Sequence, residues 1–239
     1  MKSAAAQFTS VPGDIEGNVR TMATLIREAA GQGARVVAFA ELAVTGYELG
    51  LIAKDPGLTL TQDDPRLGPL REACRAGSIA AVVGCAVRTE SGRPAITALV
   101  IGPDGGLLAR YDKVHLHGEE NDIFAAGTEQ GRFTLDGVGF ALAICYDNRF
   151  PEVAERARAD GCQVYVAGSV HERENDSFEV IYPVRARDNG LFVVLANAVG
   201  LNEVGDCRGN SAVWGPDGTL LATAGEAAPG LALAEVAIS

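Results

Sequence analysis

Apolar residues along this chain fall in short runs broken by glycine, proline and acidic turns, and the period of each run predicts its element. Residues 4–8 read as a strand. Asp14 then caps a helix to about residue 30, with Ile15, Val19, Met22, Leu25 and Ile26 recurring on one face. Gly31 and Gly33 end it, and residues 35–39 (RVVAF) form a short buried strand, so the three elements make a β-α-β unit by pattern. Residues 42–62 lack a period and read as loop. A helix over 65–76 precedes an apolar run at 79–87, and strands at 95–101 and 107–111 flank the turn GPDGG, a hairpin signal. The polar stretch 114–131 is a long loop of the kind that carries function.

The second half repeats these features. Strands at 133–135 and 138–144 form a hairpin around Asp136-Gly137, and VGFALAI is apolar enough to be buried on both faces. Phe150-Pro151-Glu152 opens a helix to about residue 160, followed by a strand at 164–167, a helix at 177–188 and a strand at 191–196. A hairpin over 211–222 around Gly215-Pro216-Asp217-Gly218 and a strand at 231–238 complete the pattern. No linker or low-complexity segment interrupts it, so one mixed α/β domain over residues 1–239, with helices outside the sheets, is the economical expectation. The order hints at two similar halves, without a repeat of fixed period.

Composition narrows the function. With 47% hydrophobic and 21% charged residues, a chain of 239 can bury a core that needs no staples. Its net charge of −11, with no basic stripe, repels phosphate backbones and argues against a nucleic-acid partner. No stretch approaches twenty apolar residues and the N-terminus lacks a signal-peptide pattern, so no membrane association and a cytoplasmic location are expected. Five cysteines at wide spacings, with no CxxC, argue against a disulfide framework or structural zinc. Three scattered histidines add no metal centre, and no cofactor is expected.

Among the cysteines, Cys74, Cys85 and Cys162 lie in helical or apolar runs and read as packing. Cys145 ends a buried strand ahead of a helix N-terminus, where free N–H groups and the dipole favour a thiolate. Inert loops use the same turn, so position alone leaves both readings open. Glu41 and Lys113 each follow a strand, and three strand ends can converge at one rim of a sheet. A surface carboxylate and a hairpin-end lysine fit those positions equally well.

The segments FAELAVTGYE around Glu41, YDKVHLHGEE around Lys113 and ICYDNRFPE around Cys145 resemble, in order and spacing, three signature blocks of the nitrilase (carbon–nitrogen hydrolase) superfamily. Residues 185–200 and 209–222 resemble its later segments, so the likeness covers nearly the whole chain. It implies a four-layer α-β-β-α sandwich. It implies further that Cys145 attacks a carbonyl carbon, Glu41 serves as general base and acid, and Lys113 with the Tyr146 N–H stabilises the oxyanion. The pattern E-x-x-x-F-x-x-G, met by Glu120, Phe124 and Gly127, points to Glu120 as a fourth catalytic residue, with Glu119 its surface neighbour. His117 departs from the family pattern, which more often has a bulky apolar residue there.

Tyr146 stands where true nitrilases generally have tryptophan, which favours the amidase and carbamoylase branches. The expected reaction is hydrolysis of a small aliphatic amide or dicarboxylic monoamide to an acid and ammonia through a thioester. An N-carbamoyl amino acid or amine hydrolase is the second reading, and a catalytically silent small-molecule-binding member of the fold is the reading from another class. Substrate contacts are expected from Tyr146, Phe124 and residues 169–178, with His171 and Arg173 as candidates there. The family's habit implies a homodimer. The chain stops just after its last expected strand, without the tail of longer relatives, so a plain two-fold dimer is expected.

Overall fold

Strand β1 (Lys2–Gln7) begins the chain in the computed structural model, which describes residues 1–237. Helix α1 (Ile15–Gly31) follows, its first turn capped by Asp14 Oδ1, which accepts from the Gly17 N–H at 2.9 Å. Then come β2 (Ala34–Ala38), a short α2 (Leu49–Lys54), α3 (Gly68–Gly77), β3 (Ala80–Arg88), β4 (Pro94–Ile101) and β5 (Leu107–Asp112). A single turn, α4 (Glu120–Ile123), leads to β6 (Gly131–Leu135) and β7 (Val138–Ile144). After a 3-10 turn at Cys145–Arg149 come α5 (Pro151–Ala159), β8 (Val164–Ser169), α6 (Ser177–Val180), α7 (Tyr182–Asn189) and β9 (Phe192–Asn197). The hairpin β10 (Val199–Asn202) and β11 (Gly205–Arg208) precedes β12 (Ala212–Trp214), β13 (Leu220–Thr223) and β14 (Gly230–Glu235).

Two six-stranded sheets form, ordered β14-β1-β2-β3-β4-β5 and β6-β7-β8-β9-β12-β13. Along both orders the pairings run antiparallel, parallel, parallel, antiparallel, antiparallel. The sheets face each other, with β1 and β2 against β8 and β9, while α1 and α3 cover one outer face and α5 and α7 the other. This is the four-layer α-β-β-α sandwich. The larger apolar core lies between the sheets and under α1 and α3, and a smaller one under α5 and α7 is built from Tyr165, Tyr182, Trp214 and small residues. No helix among the described residues is long and apolar enough to cross a membrane.

The structure departs from the expected elements in four places. Residues 42–62 contain α2 and a 3-10 turn at Pro56–Leu58, both too short for a visible period. The helix expected over 177–188 breaks at Ile181, because Pro183 in the first turn of α7 has no N–H to continue α6. The β10–β11 hairpin lies in a polar stretch with no alternation to announce it. The last strand ends at Glu235, and Ile238, its expected end, lies outside the described residues.

Candidate active site

Glu41, Lys113 and Cys145 follow β2, β5 and β7, and all three come together where the sheets face each other. The turn carrying Glu41 is pressed from both sheets. A Cβ on Gly84 of β3 would stand 2.1 Å from Ala40 O, and one on Gly168 of β8 would stand 2.9 Å from Phe39 O. Only glycine lets both strands close on that backbone. Lys113 is anchored through its N–H to Ile96 O and its carbonyl to the Gly127 N–H, each at 2.8 Å. Cys145 takes a left-handed φ of 44°, a strained backbone at the head of its 3-10 turn. The first N–H groups of that turn, Tyr146 among them, have no carbonyl to meet within it.

The charged side chains form one buried cluster. Lys113 Nζ donates to Glu41 Oε1 at 2.7 Å and to the Glu120 oxygens at 2.7 and 2.8 Å. Tyr47 Oη donates to Glu120 Oε1 at 2.6 Å, and the His117 N–H to Glu120 Oε2 at 2.8 Å. Glu120 is thus surrounded by donors, whereas Glu41 Oε2 has no partner among the described residues. Two carboxylates share one ammonium, and the less solvated one carries the cost. Burial pushes Glu41 up to about 7, opposed by Lys113 and aided by Glu120. Burial alone would lower Lys113, but Glu41, Cys145 and Glu120 together hold it above its ordinary value.

The expected resting thiolate is not what the site favours. Burial and then the Glu41 charge raise the Cys145 thiol, outweighing the pull of Lys113. Helix α5 begins only at Pro151, so its dipole is separated from the sulfur by the 3-10 turn. Cys145 Sγ lies 3.7 Å from Val170 O, and Glu41 is close enough to take its proton. The other cysteines are buried, with Cys74 and Cys85 pushed up to about 12 and Cys207 to about 11, mainly by burial.

Cys145 opens on a cavity of 290 Å³ whose wall includes His117, Glu120, Tyr146, Arg149 and His171. Phe124, an expected substrate contact, does not line it. Its ring is in the main core, and its N–H bonds Glu120 O at 2.8 Å. Arg173 also points elsewhere, paired with Asp206 at 3.0 Å and Glu226 at 2.8 Å. Glu119 is exposed beside the buried Glu120.

Sequence reasoning missed two residues. Tyr47 stands inside the block around Glu41, but nothing in spacing tells which way its ring turns. Asp147, fully buried, accepts from Tyr111 Oη at 2.7 Å, Ile144 N at 2.9 Å and His115 N at 3.0 Å, and meets His115 Nδ1 at 2.8 Å. It ties the Lys113 loop to the cysteine turn. The His115 ring also stacks on Phe150, with centroids 3.8 Å apart. An aspartate three residues past a buried strand was the available signal.

Residues 2–239 match the family model for carbon–nitrogen hydrolases. The chain belongs to the carbon–nitrogen hydrolase family. Human omega-amidase NIT2 is 29% identical over 237 residues, covering 92% of this hydrolase and 82% of the relative. A deaminated glutathione amidase of Synechocystis sp. PCC 6803 is 30% identical, covering 98% and 90%. An amidase from Nesterenkonia sp. AN1, solved with acrylamide added to its active-site cysteine, superposes with a TM-score of 0.91 at 28% identity, covering 99% of this hydrolase and 93% of that chain. This carbon–nitrogen hydrolase is of the amidase type within the nitrilase superfamily and works through an active-site cysteine.

Proposed function

We propose that this enzyme hydrolyses a small aliphatic amide or dicarboxylic monoamide to a carboxylic acid and ammonia, with Cys145 as nucleophile. The observation that carries the reading is the buried Glu41–Lys113–Glu120 cluster beside the Cys145 thiol at the foot of a 290 Å³ cavity. That volume suits an acyl chain of a few carbons.

Glu41, as carboxylate, takes the thiol proton while Cys145 Sγ bonds to the carbonyl carbon. Negative charge then develops on the substrate oxygen, where Lys113 Nζ and the Tyr146 N–H stabilise it. Collapse expels the amine nitrogen, which receives the proton held by Glu41 and leaves as ammonia, so a thioester remains. Water next attacks that carbonyl and gives its proton to Glu41. The second collapse breaks the carbon–sulfur bond, releases the acid and returns the proton to sulfur. Glu120, which accepts from Lys113, Tyr47 and the His117 N–H, keeps the Lys113 ammonium aimed.

Ammonia release from a panel of simple amides, before and after alkylation with iodoacetamide, tests the reading. Cys145→Ser should fold and lose turnover by at least about 10³-fold, because a hydroxyl is too weak an acid for Glu41 to ionise. Activity near wild type in that variant would remove Cys145 from the role.

A further inference from the structure

His171, on the cavity wall, heads a chain of three neutral groups. His171 Nε2 lies 2.7 Å from Tyr182 Oη, which lies 2.8 Å from Ser169 Oγ, and all three residues are buried. The chain starts close to the nucleophile, since the Cys145 thiol faces the carbonyl of Val170, the residue between Ser169 and His171. The backbone of His171 is fixed as well, its N–H donating to Asn197 Oδ1 at 2.9 Å.

Two hydrogen bonds over three heavy atoms allow the chain two directions. In one, Nε2–H donates to Tyr182 Oη and the tyrosine hydroxyl donates to Ser169. The Ser169 hydrogen is then left without an acceptor among the described residues, a buried donor that bears its full desolvation cost. In the other, Ser169 donates to Tyr182 and Tyr182 donates to His171 Nε2, so both buried hydroxyl hydrogens are placed. The second direction is favoured, and it puts the imidazole proton on Nδ1.

Nδ1 makes no hydrogen bond among the described residues. The sealed polar atoms without partners lie elsewhere, at Ser3 Oγ, Glu41 Oε2, Asn148 Oδ1 and Tyr165 Oη. Nδ1 therefore opens on the cavity that His171 lines. Burial, then Arg149 and Lys113, draw the imidazole down to about 3, so the ring stays neutral while it donates.

We propose that His171, held as its Nδ1–H tautomer by the Tyr182–Ser169 hydroxyl chain, donates a hydrogen bond to an oxygen on the substrate's acyl chain and selects amides that carry one. This inference rests on the amidase reading above and refines its substrate class to amides with a carbonyl, hydroxyl or carboxylate oxygen beyond the reacting carbonyl. A buried donor left unpaired by an apolar acyl group is the source of the discrimination.

Two isosteric pairs test it: lactamide against isobutyramide, and succinamate against 4-methylvaleramide. The wild type should prefer the oxygen-bearing member in kcat/KM. In His171→Phe the preference should fall 10- to 100-fold in at least one pair, and His171→Gln, which restores an N–H donor, should recover part of it. Equal losses on both members of both pairs, with isobutyramide still cleaved, would overturn the inference alone. Failure of the wild type to cleave any amide would instead remove the amidase reading and this inference with it. In 15N spectra of the intact enzyme, the ring signals that vanish in His171→Gln should come from a ring protonated on Nδ1 and bare on Nε2, distinct from His115, whose Nδ1 meets Asp147 at 2.8 Å. A His171 ring protonated on Nε2 would also overturn it.

Discussion

The two sheets repeat one scaffold but carry different rims. The hairpin GPDGGLLAR at 102–110 returns as GPDGTLLAT at 215–223, differing only at Gly106/Thr219 and Arg110/Thr223. In both hairpins the register shifts just before the turn, at Ile101 and at Trp214, and in both the paired leucines are about two-fifths exposed. By strand order β1, β2 and β5 correspond to β7, β8 and β13. Their ends do not correspond chemically. Glu41 follows β2, whereas Val170 and the neutral His171 follow β8; Lys113 follows β5, whereas Ala224 follows β13. Gln7, at the end of β1, spends its amide on Gly225, Ala227 and Ser211, while β7 delivers Cys145. The rim of the first sheet thus carries the ammonium and the Glu41 carboxylate of the buried cluster. The rim of the second carries a thiol that is neutral at rest and the buried Asp147, which is met by its own donors. Buried charges are tolerated only when paired, and each rim keeps its own pairing.

The most severe way to break this division is Lys113→Ala. It leaves Glu41 and Glu120 buried without their ammonium, which costs about 3–5 kcal/mol of stability. On the proposed mechanism it also removes an oxyanion partner, so kcat should fall at least about 10²- to 10³-fold with little change in KM. Chemical denaturation and steady-state kinetics check the two effects separately. A loss confined to KM would make Lys113 a binding residue only.

Next in size is the seam between the sheets. Gly84→Ala drives a Cβ against Ala40 O from within the first sheet, and Gly168→Ala presses on Phe39 O from the second. Backbone cannot give way as a side-chain tip does, so Glu41 must move. A displacement near 1 Å costs about 10²-fold in rate. Gly84→Ala, with the closer contact, should lose more kcat than Gly168→Ala. Equal activity in both variants and the wild type would mean that the glycines do not position Glu41.

This seam also marks the limit of what the sequence discloses. Strand β7 was legible to the residue, because seven apolar positions between an Asp-Gly turn and a polar segment leave one placement. Glu41, Lys113 and Cys145 were legible as strand ends, and their convergence only through resemblance. Tyr47 and Asp147 were not, since each acts by where its side chain turns across another element. Nor was Gly84, which in the sequence is one small residue inside an apolar run and in the fold is the clearance for Ala40. The repeated hairpin was present in the sequence, but the α2 segment between β2 and β3 and the β10–β11 hairpin between β9 and β12 hide any fixed period.

The mildest test sharpens the contrast through pH. The charged rim should titrate near neutrality and the His171 rim should not. Glu41 is raised from 4.5 to about 7 by burial, so its basic form grows as pH rises, and kcat/KM should climb along an acid limb near pH 7. His171, drawn down to about 3, adds no limb in that range. The same shift fixes a stability sign. A native carboxyl with a raised pKa binds its proton more tightly than the unfolded chain does. Its contribution is complete below about pH 4.5 and is lost as pH rises through about 7, a change on the order of 3 kcal/mol. Glu41→Gln cannot ionise, so its melting temperature minus that of the wild type should increase from pH 4.5 to pH 8 while activity is absent. Thermal melts across that interval read the difference directly. A flat difference would mean that Glu41 ionises as readily in the fold as in water, and the burial of charge on this sheet would then have no energetic consequence.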